Sequence, residues 1–490
     1  MDELLERLGE ISDLERAAVV LGWDQEVCMP PAGAEGRGEV RATVGRIAHE
    51  RFIDEGMGEL LAAAQPRNEL EADVVRVARR DFDKARRVPG ELVAEIARAS
   101  SAARMAWLHA REESDFASFA PHLERQLELR LRYSACFPEA EHAYDPLLDD
   151  YEPGLSTAEL TDTLARLRDG LVPLVAAAPE VDDSLLRSDR AFPEAGQRAL
   201  VRTVLQAVGV DDEAWRLDDA VHPFQATPAP GDVRLTTRYD EGDLDSLYSA
   251  LHEFGHGLYE RQIDPALART TLSGGVSGAW HESQSRMWEN MVGRSPGFWR
   301  WCFPHAQAVF PERFGGRTWQ EVQRAANAVR RSLIRVSADE VTYGLHIALR
   351  FELELALVEG DLAIADVPGA WNDRVRDYLG LEVPDDARGV LQDVHWSEGI
   401  FGYFPTYALG NVIAGQVWAR VTAELPDIDE RFAAGDFAPL REWLGENVHR
   451  FGRRLMPADL LQRVVGGPLD PAPYLAYLEA KLEASAELMS

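Results

Sequence analysis

Apolar positions recur at helical spacing along most of the chain. In "ELTDTLARLRDGLVPLV" (159–175), Leu160, Leu164, Leu167, Leu171 and Leu174 stand four, three, four and three apart, a one-sided stripe that predicts an amphipathic helix. A second run opens on Thr318-x-x-Glu321, a capping-box pattern, and its periodicity predicts one helix to about Val358. A third starts near Asp243 and carries Leu244, Leu247, Tyr248, Leu251, Phe254 and Leu258 at helical spacing. Breaks rich in proline, glycine and aspartate fall at 145–156, 222–232 and 383–389. The best strand candidate is "DVRLTTRYD" (232–240), where Val233, Leu235 and Thr237 alternate with Arg234 and Thr236. The expected fold is therefore all-α, mainly helical, with one small β-hairpin or sheet. No repeat is evident and no linker is long enough to separate two free domains.

Size and charge narrow the class. At 490 residues the chain exceeds a typical single core, so one large two-lobed domain is expected, with an N-terminal helical lobe over about 1–200 and a C-terminal lobe over about 201–490. The formal charge of −32 would repel nucleic-acid phosphates and anionic membranes, which argues against both as partners. Lys84 and Lys481 are the only lysines among 51 basic residues, a pattern of salt adaptation that an arginine-favouring genome would also produce. Cys28, Cys136 and Cys302 are odd in number and far apart, forming neither a disulfide framework nor a metal cluster. The N-terminal "MDELLERLGE" lacks an apolar signal-peptide core, and no apolar run approaches the ~18 residues of a membrane span. A cytoplasmic location is expected.

The chemistry concentrates in "SALHEFGHGLYE" (249–260). His252 and His256 stand at i and i+4, one above the other on a helical face, and Glu253 adjoins the first. Two imidazoles so placed grip one metal ion, and the glutamate reaches a water on it. Gly255 within this helix costs about 1 kcal/mol relative to alanine, which suggests close approach of another backbone or a ligand. A catalytic zinc takes three protein ligands and keeps a fourth place for water. Glu282, 26 residues beyond His256 and past the glycine-rich "SGGVSG", is a candidate third ligand, with Glu289 competing.

Taken with "WDQEVCMPP" (23–31), "HPF" (222–224), "DVRLT" (232–236), "HESQSR" (281–286), "IRVSADEVTY" (334–343) and "GVLQDVHWSEGIFGYFPTYALGN" (389–411), the motif resembles the M32 metallocarboxypeptidases, relatives of carboxypeptidase Taq. The resemblance implies a helix-rich fold with a deep central groove, similar to angiotensin-converting enzyme and neurolysin. It also implies removal of single C-terminal residues from peptides, a divalent metal at the HEXXH site, and a homodimer. It carries the metal ligands onto His252, His256 and Glu282 and the general base onto Glu253. Zinc is the expected ion, and cobalt would serve as a substitute.

Further site residues follow from the needs of the chemistry. An oxyanion wants a donor, and His395, Tyr403 and Tyr407 lie in a glycine- and aromatic-rich segment read as a loop near the site. In the similar angiotensin-converting enzyme a histidine and a tyrosine serve this purpose, which favours His395 and Tyr407. A substrate's free C-terminal carboxylate calls for an arginine fork. Arg335, Asp339, Thr342, His346 and Arg350 form a polar stripe at helical spacing, with Arg335 the first candidate anchor and Arg350 the second. His222 and Arg234, in the upstream motifs, are expected to shape the closed end of the groove. Two alternatives stay open: a dipeptidyl carboxypeptidase or oligoendopeptidase on the same scaffold, and a di-iron oxidoreductase using Glu253-x-x-His256 with Glu446-x-x-His449.

Overall fold

The leucine stripe of 159–175 lies within the helix Thr157–Ala177 in a computed structural model of the chain, which describes residues 1–487. Ser156 and Glu159 close a capping box at its start. Leu160, Leu164, Leu167 and Leu171 are buried, and each is worth about 1.5–3 kcal/mol on burial. They belong to a large core that extends from Ala103 to Leu478. A second, smaller core joins the helices Asp2–Val27, Glu55–Ala63 and Glu69–Arg87 to Ile263, Leu267 and Leu272.

The run from Thr318 is two helices, not one. Trp319–Ala326 stops at Asn327, whose Nδ2 donates back to the carbonyls of Gln323 at 2.7 Å and Arg294 at 3.0 Å. The chain passes through a 3₁₀ turn at Arg335–Ser337 and re-enters a helix at Tyr343–Glu359. Asp339 Oδ1 accepts the N–H groups of Val341 at 2.8 Å and Thr342 at 3.2 Å, which turns the chain just before that helix. The apolar period survives the break because both pieces face one core. The stripe from Arg335 to Arg350 is therefore not one helical face.

The β element is a three-stranded sheet in the order β1-β3-β2, with β1 at Trp215–Asp219, β2 at Gln225–Ala229 and β3 at Asp232–Thr237. β1 runs parallel to β3 and β2 antiparallel. The sequence reading took 222–232 for a break, yet it contains β2. Its prolines are tolerated because β2 is an edge strand with a register irregularity between Ala226 and Ala229. Val233 and Leu235 are buried, and Trp215 meets Phe254 of the next helix at 5.5 Å between ring centroids. The sheet thereby backs the helix that carries the histidines.

No helix among the described residues is long and apolar enough to cross a membrane. Arginine supplies most of the ion pairs, and both lysines are paired, Lys84 with Asp149 and Asp150, Lys481 with Glu340. Exposed pairs contribute little, so self-repulsion at −32 should govern the salt response. Thermal melts from low to molar salt should show a rising midpoint as the repulsion is screened. A flat or falling midpoint would remove the case for salt adaptation.

Candidate metal centre

Three helices build the site. The first, Asp245–Arg261, buries Leu247, Leu251, Phe254 and Leu258 and turns His252, Glu253 and His256 to one side. The second, Gly278–Arg286, begins where Ser277 accepts the N–H of Trp280 and the buried Glu152 accepts that of Ala279. It carries Glu282. The third, Phe404–Glu424, carries Tyr407. A Cβ on Gly255 would stand 2.4 Å from the Gln284 carbonyl oxygen, and one on Gly410 would stand 2.6 Å from Glu282 Cβ. Glycine at these two positions lets both outer helices close on the one holding Glu282, the approach expected from Gly255.

The side chains of His252, His256 and Glu282 each bring one ligand atom to within 4.8 Å of the others. Glu282 Oε2 lies 3.7 Å from His252 Nε2 and 3.5 Å from His256 Nε2. Bonds of 2.0–2.2 Å in a tetrahedral site set ligand atoms about 3.3 Å apart, so two imidazoles and a carboxylate at this spacing fit one divalent ion. The competing candidate, Glu289, lies behind the histidine: its Oε2 is 2.8 Å from His252 Nδ1. It stands in a π-helical turn, Met287–Val292, that follows directly on the Glu282 helix.

Outer partners differ for the two histidines. His252 leans on a carboxylate, Glu289, whereas His256 Nδ1 meets His281 Nδ1 at 2.6 Å and His281 Nε2 meets Glu260 at 3.0 Å. Such partners fix ring orientation and tautomer. The sequence reading missed Glu260 and His281, although His252, His256 and Glu260 form an i, i+4, i+8 stripe that could have exposed the first. Arg286 ties Glu282 at 2.7 Å to Glu289 at 3.1 Å, and its guanidinium stacks over Tyr343 at 4.3 Å.

Burial and charge set the protonation states. Burial pushes Glu253 up to about 7, helped by Glu282 and Glu289 and opposed by His252. Burial also drives His256 down to about 4, leaving the neutral imidazole that ligation requires. Burial acts the same way on His252, but Glu282 and the hydrogen bond His252 donates to Glu289 outweigh it and raise that group. Burial would raise Glu282 too, yet Arg286 and His252 hold its carboxyl well below the usual range.

The proposed oxyanion donors form an aromatic cluster. His395 Nε2 is 3.4 Å from Tyr407 Oη, and Tyr403 stacks on His395 at 5.8 Å. Tyr403 caps and Tyr407 lies inside a helix, not in a loop, because Pro405 sits in its first turn, where proline is favoured. Burial drives His395 down to about 4, with Arg335 and Arg350 adding to it. Burial and the neighbouring phenols push Tyr407 well above its ordinary value, so it stays a neutral donor.

Arg335 and Arg350 meet on one carboxylate. Arg335 gives Nε and Nη2 to Asp393 Oδ1 at 3.0 and 2.9 Å and Nη1 to the Tyr343 hydroxyl at 2.9 Å. Arg350 is fully buried, with Nε 2.7 Å from Asp393 Oδ2. Asp393, which the sequence reading passed over, joins the two. His222 is exposed on the loop between β1 and β2, and Arg234 is held by Asp232 and stacks over Trp23 at 4.2 Å. No hydrogen bond or ion pair among the described residues joins either to His252, His256 or Glu282. Glu446 is exposed while His449 is buried against Gln262 and Gln284, so that pair forms no second metal site.

The carboxypeptidase Taq (M32) metallopeptidase family matches residues 3–482. The chain belongs to that family. Thermostable carboxypeptidase 1 of Thermus thermophilus is 40% identical, with 98% of each chain covered, and carboxypeptidase 1 of Bacillus subtilis is 37% identical over 98% of this chain and 97% of its own. The crystal structure of an M32 carboxypeptidase from Deinococcus radiodurans R1 is 40% identical, superposes with a TM-score of 0.96 and covers 99% of each chain. Membership of the M32 family makes this chain a metal-dependent carboxypeptidase, a peptide hydrolase that uses a divalent metal ion.

Proposed function

We propose that this M32 enzyme releases single C-terminal residues from peptides with a free carboxylate, using zinc held by His252, His256 and Glu282. The observation that carries the proposal is the convergence of those three ligand atoms within 4.8 Å beside the buried Glu253. When bound, the ion lowers the pKa of a water towards ~7 and polarises the scissile carbonyl. Glu253 takes the water's proton and delivers it to the leaving amine. His395 and Tyr407, with Tyr403 alongside, donate to the carbonyl oxygen as charge develops there. Arg335 and Arg350, neutralised in part by Asp393, hold this donor cluster in place: Arg335 lies 4.9 Å from the Tyr407 ring centroid. In this reading 1–490 acts as one cytoplasmic catalytic unit with a deep groove, as a homodimer, with His222 and Arg234 at the groove's margin.

A dipeptidyl carboxypeptidase or oligoendopeptidase would share the metal chemistry and differ in the cut. Digestion of a defined peptide followed by mass spectrometry should give a ladder of single-residue losses from the C-terminus. A chelator should abolish it. Losses in steps of two, or internal fragments, would replace the proposed specificity.

A further inference from the structure

A carboxypeptidase must meet its substrate's terminal carboxylate one residue beyond the scissile bond, and the sequence offers many arginines for the task. The structure reduces the choice. A cavity of about 310 Å³ opens beside the catalytic helix and is lined by His252 and Glu253 on one wall and by Arg330 and Val336–Asp339 on another. That volume lies at the small end of ligand pockets, about 300–1,000 Å³, as suits one residue rather than a long peptide. Val336 and Val221 are the two most exposed large hydrophobic side chains among the described residues, at 75% and 74%. Val336 lines this cavity, and Val221 stands two residues before Pro223, which lines it too.

Three arginines line the cavity, and two are committed. Arg294 donates Nε to Asn290 at 3.0 Å and Nη1 to the Ala326 carbonyl, reaches Glu289 with Nη2 at 3.6 Å and stacks on Tyr248 at 3.9 Å. Arg187 spreads its three nitrogens over Asp183, Asp243 and Asp245. Arg330 differs. Its main-chain N–H is pinned to Asp339 Oδ2 at 2.9 Å and its Nε lies 3.1 Å from Asp183, while neither terminal nitrogen of the fork makes a hydrogen bond among the described residues. Its side chain is 39% exposed. Arg335 and Arg350, the two candidates from sequence, do not line the cavity and are engaged with Asp393.

We propose that Arg330 receives the terminal carboxylate of the peptide, with the substrate's last residue seated in this cavity. A free, planar pair of Nη donors is the geometry that bonds both carboxylate oxygens at once. Asp183 and Asp339 fix the stem and the backbone, so the fork is oriented before substrate arrives, which lowers the entropic cost of the contact. The proposal rests on the placement of the reaction at Glu253 given above.

The test compares two peptides identical except for a C-terminal carboxylate or carboxamide. The wild type should hydrolyse the acid in strong preference to the amide. In Arg330→Met the ratio of kcat/KM for acid over amide should fall by roughly ten- to a hundredfold, the worth of a hydrogen bond to a charged group, with metal content unchanged. Arg330→Lys should keep part of the preference, since a point charge remains. Arg335→Met should slow both substrates and leave the ratio intact. If Arg330→Met keeps the full ratio, or if Arg335→Met loses it instead, the assignment is overturned. Failure of the underlying site reading would show separately, as a Glu253→Gln enzyme that still turns over.

Discussion

Glu253→Gln should leave the metal bound and remove nearly all turnover. The substitution preserves size and the capacity to hydrogen-bond, but a carboxamide has no basic oxygen to take the proton of the attacking water. General acid–base assistance is worth roughly 10²- to 10⁴-fold, and kcat should drop by that order. Metal retention is expected because the three ligand atoms, on His252, His256 and Glu282, do not include Glu253. In addition, Glu253 is a buried carboxylate beside Glu282 and Glu289, two others held ionised by Arg286. Neutralising it removes a like-charge repulsion, so folding should not suffer. Metal content and kcat measured on one preparation decide the matter. A variant with wild-type turnover would remove Glu253 from the chemistry, and one that loses the metal would make it a ligand instead.

The site was legible in the sequence where one helix encodes it. His252, Glu253 and His256 share a face by spacing alone, and Gly255 marked the close approach that the Gln284 carbonyl makes. Spacing could not choose between Glu282 and Glu289, which stand seven residues apart and so nearly in phase on an α-helix. The π-helical turn at Met287–Val292 shifts that phase and sends Glu289 to the back of His252. The single helix expected from Thr318 to Val358 failed because apolar periodicity reports which side faces the core, not whether the backbone is continuous. The break is made by Asn327 and Asp339 side chains bonding to main chain, and Ala328, Arg330 and Val336–Asp339 of the intervening segment then line the cavity. Arg330 was passed over for that reason, and Asp393 because its two partners are 58 and 43 residues away.

Asp393→Asn should cost about 3–5 kcal/mol of stability, the penalty for leaving buried charge uncompensated. Asp393 is the carboxylate shared by Arg335 and Arg350, whose side chains are 9% and 0% exposed. Asparagine keeps the shape and one acceptor but leaves two guanidinium charges facing each other across a neutral group. Burial would raise the Asp393 carboxyl, yet Arg350 and Arg335 outweigh it and hold it well below the usual carboxylate range. A depressed native pKa contributes stability that is present above the unfolded value, about 3.9, and is lost as pH falls through the native one. The gap between wild type and Asp393→Asn should accordingly be full at neutral pH and shrink as the pH drops below about 4. Charge rather than packing is identified by adding Arg350→Met: removing one stranded cation should recover part of the loss, a coupling that a double-mutant cycle isolates. Denaturant unfolding of the three variants at neutral pH supplies the numbers. A single Asp393→Asn that unfolds within about 1 kcal/mol of wild type, the range of an ordinary surface pair, would mean that the buried arginines are solvated or compensated elsewhere.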